Sequence, residues 1–325
     1  MSAMKVTDFM LNLSSDLVEK KKVTDSTAST YIKSLYALNN KESFKNLTFL
    51  KKGEDIVKKI ETYSPNTQKA LYATLASVLS LFADRPGFKK IHQFYYDKMM
   101  GTVKDMKENG PPTSEKTEKQ KENWITWDEV KKKKDELGEA VKKFLGQKSI
   151  TPEQFQTLLQ HTVLSLYTDN PPRRNLDYME MNIRKAKTKP EDLPKDKNYL
   201  VVTGGKPTEF VFNKFKTMKK YGQQTVQITP ELAGALEMYL KHHPGLKGNK
   251  GKTVECRFLV NVDGTALTAP NAITRILNTV FGKKIGSSMM RHIYLSSKYD
   301  VGEMEKDATE MGHSMTEQRN YLKEE

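Results

Sequence analysis

Residues 107–123, KENGPPTSEKTEKQKEN, carry no apolar period and have Gly110, Pro111 and Pro112 near their start. Such a run buries no surface, and its Gly-Pro-Pro tripeptide stops a helix that enters it. The stretch 108–123 is therefore expected to be an exposed, flexible linker. It separates two bodies, 1–107 and 124–325, each long enough to bury a core of its own.

The first body reads as helices joined by short polar turns. VTDFMLNLSSDLVEK has helical spacing, DSTASTYIKSLYALN begins with capping residues, and SPNTQKALYATLASVLSLF sets Ser64 ahead of Pro65 at a helix start. GFKKIHQFYYDKMMGTVKDMKE supplies a further basic helix, whose aromatic residues fall at helical spacing and are expected in the core. In the second body, WITWDEVKKKKDELGEAV offers Trp124 and Trp127 as anchors. SITPEQFQTLLQHTVLSLYT combines a Thr151 cap, Pro152 in the first turn and Gln154 in a capping box. NYLVV, TEFVF, QTVQI and CRFLVNV then read as short strands before helices return through ELAGALEMYLKHH, APNAITRILNTVFGKK and SSMMRHIYLSSKYD. The expected fold is mainly α with a small antiparallel β-sheet, an α+β class.

Lysine and arginine outnumber aspartate and glutamate 54 to 40, a formal net charge of +14. A polyanion such as nucleic acid suits that balance, through phosphate neutralisation and counterion release. The single Cys256 rules out an intramolecular disulfide and any cysteine-based zinc cluster. No apolar run reaches the roughly 18 residues of a membrane span, and the first residues lack a signal-peptide layout. An intracellular setting is expected: cytoplasm, nucleus or virion.

Two motifs are discounted. GLKGNKGKT at 245–253 ends like a phosphate-binding loop, but Leu246 stands where the first glycine must be, and a helix rather than a strand precedes it. His242 and His243 close a helix but point roughly 100° apart and have no acidic or cysteine partner at ligand spacing. A favourable interaction with the negative end of the helix dipole is the expected role for them, and no metal is expected.

Four separated segments carry residues suited to one chemistry. LYTDNPPRRNLDYMEMNI presents Arg173 and Arg174 with Asp177; NKFKTMKKYGQQTVQI presents Lys216, Lys219 and Lys220 between strands; SSMMRHIYLSS presents Ser288, Arg291 and His292; MGHSMTEQRNYLKEE presents His313 and Tyr321. In this order they resemble the tyrosine recombinase, or phage-type integrase, family. Its pattern is an arginine followed three residues later by an acid, a hairpin lysine, a His-x-x-Arg helix, a Gly-His turn and a C-terminal tyrosine. Arg174 with Asp177 matches the first element better than Arg173, which pairs in sequence with Leu176. Lys216 matches the second, with Lys219 and Lys220 as competitors and as DNA-contacting residues. Arg291, His313 and Tyr321 match the rest, with His292 beside Arg291. Two departures stand out: Ser288 occupies the family's histidine position, and Tyr321 lies one residue nearer to His313 than is usual.

The resemblance implies a helical DNA-clamping N-terminal domain and a catalytic domain acting on double-stranded DNA, with four protomers on two sites. A tyrosine, with a reference pKa near about 10, needs cationic neighbours or a proton acceptor to act as a nucleophile. Arg174 and Arg291 would hold the non-bridging phosphate oxygens, His313 would donate to them or assist proton transfer, and Lys216 would protonate the departing 5′ oxygen. No metal, ATP or other cofactor is implied, because the guanidinium groups perform the charge stabilisation. The implied function is site-specific recombination, the integration or excision of a mobile or viral genome through a 3′-phosphotyrosine. A type IB topoisomerase and a lapsed DNA-binding relative share the pattern. Structural roles also stay open: an Arg174–Asp177 ion pair, a carboxylate partner for Arg291, a cap-side role for His313 and a core anchor in Tyr321.

Overall fold

The structure, a computed structural model, describes residues 4–109, 116–185, 193–247, 254–298, 301–312, 317 and 321. Two compact units divide the chain, Met1–Pro111 and Pro112–Glu325. Among the described residues no helix is long and apolar enough to cross a membrane.

The first unit is helical. It contains α1 (Asp8–Lys21), α2 (Asp25–Leu38), α3 (Gly53–Glu61), α4 (Pro65–Leu79) and α5 (Phe88–Glu108). Thr7 and Thr24 cap the first two by accepting from the backbone N–H groups of Met10 and Thr27. Ser64 precedes Pro65 as expected but makes no capping bond; its hydroxyl pairs with that of Thr67. Helix α3 is an addition to the expected set, carried by the short apolar repeat Ile56, Val57 and Ile60. The core gathers Leu17, Leu35, Ile60, Leu75, Leu79 and Tyr95, and the Tyr95 hydroxyl donates to the Leu50 carbonyl at 2.8 Å. Of the α5 aromatics Tyr95 is buried, whereas Tyr96 remains 41% exposed.

The second unit begins within the stretch expected to be a linker. Thr117 and Gln120 form a capping box that starts a short helix, α6 (Glu118–Asn123), so the last third of that stretch is ordered. Residues 110–115 lie outside the described set. Next come α7 (Trp127–Lys142) and α8 (Pro152–Thr168), each opened by a threonine capping box. Helix α8 is buried along most of its length and packs against α7, α11 (Pro230–His242), α12 (Ala272–Phe281) and α13 (Ser287–Ser296). Trp124 and Trp127 pack on this core, Trp127 edge to face with Tyr294 at 5.4 Å.

The short helix α9 (Asn175–Met179) leads directly into β1 (Met181–Lys185). The sheet continues with β2 (Asn198–Thr203), β3 (Lys206–Phe212), β4 (Gln224–Gln227) and β5 (Val254–Arg257), in the order β4-β3-β2-β1-β5. It is mixed rather than antiparallel, because β1 runs parallel to β2 while the other pairs are antiparallel. Residues 198–202 are buried throughout: Leu200 and Val202 face the main core, and Tyr199 and Val201 pack with Leu193 and Val211. The segment expected as a strand over 256–262 holds its pairing only to Arg257, then bends, with one further bridge from Val260 to Ala266. The β3–β4 connection carries a single turn of helix, α10 (Met218–Tyr221). The last described helix is α14 (Val301–Met311).

His242 and His243 correct the helix-dipole expectation. Both are buried, and burial lowers both pKa values, that of His243 to about 4. His243 accepts from the Gly245 N–H at Nδ1 and donates from Nε2 to the Phe258 carbonyl at 3.1 Å, which fixes a neutral ring. Residues 248–253, most of the discounted loop motif, lie outside the described set. No described group of acidic, histidine or cysteine residues is arranged to hold a metal.

A neutral buried histidine makes the unfolded chain the better proton acceptor between its ordinary value near 6.5 and about 4. Stability present above that window is therefore lost as pH falls through it, by up to about 3 kcal/mol for His243. Chemical denaturation at a series of pH values is expected to show this loss and to show it reduced in His243→Gln. A flat profile for the native chain between pH 7 and 4 would contradict it.

Candidate active site

Arg173 and Arg174 lie in the extended stretch before α9, and Arg174 is its N-cap residue. The acid three residues beyond Arg174 is not its partner. Arg173 Nε pairs with Asp177 Oδ2 at 3.0 Å, both side chains 2% exposed. The Arg173 guanidinium stacks 3.8 Å from the Phe212 ring centroid, and Nη1 donates to Gln224 Oε1 at 2.9 Å and to the Glu310 carbonyl. Burial pushes the Asp177 carboxyl above its ordinary range, with Arg173 acting against that shift. The expected Arg174–Asp177 ion pair is thus replaced by a buried Arg173–Asp177 pair, and Arg174 faces elsewhere.

Arg174 Nη2 meets Glu317 Oε1 at 3.0 Å, and Nη1 donates to the Gly312 carbonyl at 3.4 Å. That carbonyl also accepts from the Thr217 hydroxyl, and Gln224 Nε2 donates to the Thr309 carbonyl at 2.6 Å. The last carbonyls of a helix have no partners within it. Here Arg173, Arg174, Thr217 and Gln224 supply them, which docks the end of α14 on the rest of the unit. Gly312 is required there twice over. Its φ is +69°, and a Cβ would sit 3.0 Å from the Phe215 ring and 3.2 Å from Arg173 Nη2. Past the middle of α14, Asp307 pairs with Lys298 at 3.3 Å.

Arg291 and His292 project from α13 to Tyr321. Arg291 Nη1 donates to the Tyr321 hydroxyl at 2.7 Å, and its guanidinium carbon lies 4.0 Å from the ring centroid. His292 donates from Nδ1 to the Tyr321 backbone carbonyl, the two rings 4.7 Å apart. Arg291 is 2% exposed, yet Nε and Nη2 have no partner among the described residues, and no described carboxylate pairs with it. Burial lowers its pKa from the ordinary value; Tyr321 opposes that shift and Arg174 adds to it. Of the possible structural roles, a carboxylate partner for Arg291 is therefore excluded among the described residues, and half-buried Tyr321 both packs on the Tyr294–Leu295–Met311 cluster and makes polar contacts with Arg291 and His292.

The other sequence-selected residues fall around this cluster. Ser288 is exposed in the first turn of α13, three residues before Arg291. Lys216 is exposed and directly precedes Thr217, which ties it to the Gly312 turn; Lys219 and Lys220 are exposed on α10. His313 lies outside the described residues. Glu317, Thr217 and Gln224 were not selected from sequence; only Thr217 carried a signal, as the neighbour of Lys216. Comparison with known protein families, with curated proteins and with solved structures gave no match.

The two adjacent arginines are predicted to separate in stability measurements. Arg173→Met leaves Asp177 buried and unpaired and is expected to cost about 3–5 kcal/mol. Arg174, partly exposed and paired with partly exposed Glu317, is expected to cost no more than about 1 kcal/mol on replacement by alanine. Thermal unfolding of the two variants checks this, and equal losses would contradict the separate roles.

Proposed function

We propose that this chain breaks and rejoins DNA through a covalent phosphotyrosine formed on Tyr321, as a site-specific recombinase. The observation that carries this is the Arg291 guanidinium, buried with two nitrogens lacking described partners and a third on the Tyr321 hydroxyl. Burying donors without acceptors is costly, so the arrangement suits an anion that arrives from outside. Arg174 supplies a second planar fork beside it, held in the meantime by the Glu317 carboxylate. A backbone phosphate between the two arginines would have its non-bridging oxygens held where charge grows in the transition state.

The Tyr321 oxygen then attacks phosphorus, and the bond to the 5′ oxygen breaks. That oxygen leaves with a proton, for which Lys216 is the proposed donor, and the phenolic proton passes to a base in the site. A 5′ hydroxyl of another strand attacks the phosphotyrosine and releases the phenol, so one phosphoester bond replaces another without ATP. The net charge of +14 supports duplex DNA as the partner, and the family resemblance supports four protomers on two sites. Ser288, exposed where the family has histidine, favours one competing possibility: a DNA-binding protein that no longer cleaves.

A pool of nicked duplexes of random sequence tests the proposal. The native chain is expected to form a protein–DNA adduct that survives denaturant, absent in Tyr321→Phe and reduced about a hundredfold or more in Arg291→Ala. A salt-sensitive complex without adduct would identify the binding protein instead. Replacing Glu317 by glutamine removes the carboxylate that holds Arg174 and is expected to tighten DNA binding; weaker binding would show that Glu317 supports the site.

A further inference from the structure

Asn198 opens β2 and is 1% exposed. Its amide uses its full hydrogen-bonding capacity in two directions. Nδ2 donates to the Asp177 carbonyl at 3.0 Å and to the Lys214 carbonyl at 2.8 Å. Oδ1 accepts from the backbone N–H groups of Asn213 at 2.9 Å and Lys214 at 2.7 Å. One side chain therefore ties α9, at the residue that pairs with Arg173, to the backbone two residues before Lys216. Asn213 extends the tie: Nδ2 donates to the Lys197 carbonyl at 3.0 Å and to the Pro194 carbonyl at 3.2 Å. Its Oδ1 accepts from Gln223 Nε2 at 2.7 Å, closing the base of the β3–β4 connection from the far side.

We infer that Asn198 is a positioning residue that sets Lys216 against the Arg174–Arg291–Tyr321 cluster. The inference rests on the proposed strand-cleavage chemistry. Lys216 is exposed on a connection whose only regular structure is the single turn of α10, so its place depends on how the backbone on either side of it is held, by Thr217 on one side and by Asn198 on the other. A general acid has to come within hydrogen-bond reach of the departing oxygen, and a displacement of about 1 Å costs on the order of a hundredfold in rate. The Asn198 amide is the buried group that bonds both the α9 backbone and the backbone two residues before Lys216, beside the exposed Lys214–Glu180 ion pair and the stacking of Arg173 on Phe215.

The leaving group supplies a readout that simple loss of structure would not move. In a duplex with sulfur in place of the bridging 5′ oxygen, the departing thiolate needs no proton, since thiols have a pKa near about 8.5. Single-turnover cleavage of ordinary DNA is expected to slow about a hundredfold in Asn198→Asp, which turns two donors into acceptors facing carbonyls. Lys216→Ala should slow likewise, and the sulfur substrate should restore both to near the native rate, while Arg174→Ala stays slow on both substrates. If Asn198→Asp does not fold, Gln223→Met, at an exposed position, is expected to show the same pattern at smaller amplitude. Equal slowing on both substrates, native rates on ordinary DNA, or a Lys216→Ala variant that sulfur does not restore would each overturn the inference. With Lys216→Ala restored and the Asn198 variant not, the strand-cleavage reading stands and only the positioning role falls. A native chain that forms no adduct on either substrate removes both.

Discussion

A guanidinium buried in protein has to be matched by acceptors built into the fold or by an anion that comes later, and two buried guanidiniums of one unit are matched to different degrees among the described residues. Arg173 has the Asp177 carboxylate, two aromatic faces, a glutamine and a helix-end carbonyl around it. Arg291, equally buried, has one hydrogen-bond partner among the described residues, the Tyr321 phenol. Among the described residues Arg173 leaves one nitrogen, Nη2, without a hydrogen-bond partner, whereas Arg291 leaves two, Nε and Nη2. Between them stands Arg174, whose described partners are a carbonyl and a partly exposed carboxylate.

The C-terminal segment follows from the same electrostatics. Helix α14 ends in carbonyls that need donors, and those donors come from the two arginines, from Thr217 beside Lys216 and from Gln224 on β4. Arg174, one of the groups proposed to hold a phosphate, thus also helps to dock the end of α14. On the proposed reading a phosphate would compete with Glu317 for Arg174, because Nη2 cannot be given fully to both at once.

Much of the helical framework was legible in the sequence because its starts are chemically marked. Thr151 with Gln154 and Thr229 before Pro230 both open helices. The parallel pairing of β1 was not legible: five residues follow α9 almost directly, with no turn signal to announce a strand. Nor was the choice between adjacent arginines. The family pattern assigns Asp177 to Arg174, but both arginines lie ahead of the helix, and it is Arg173 that reaches forward to Asp177. Arg291 and Tyr321 were selected because they fall in order in the recombinase-like pattern, and an arginine within an apolar helix already asks for an anionic partner. Asn198 and Glu317 gave no such signal, since only tertiary contact distinguishes them from other polar residues.

The central claim is that Arg174, Arg291 and Tyr321 converge on one phosphorus atom. A crystal structure of the chain with duplex DNA and vanadate, which adopts the trigonal bipyramid of phosphoryl transfer, tests it most directly. The account predicts vanadium bonded to the Tyr321 oxygen, with guanidinium nitrogens of Arg174 and Arg291 at about 2.7–2.9 Å from its equatorial oxygens. DNA bound with Tyr321 still on Arg291, and with vanadate elsewhere or absent, would contradict it.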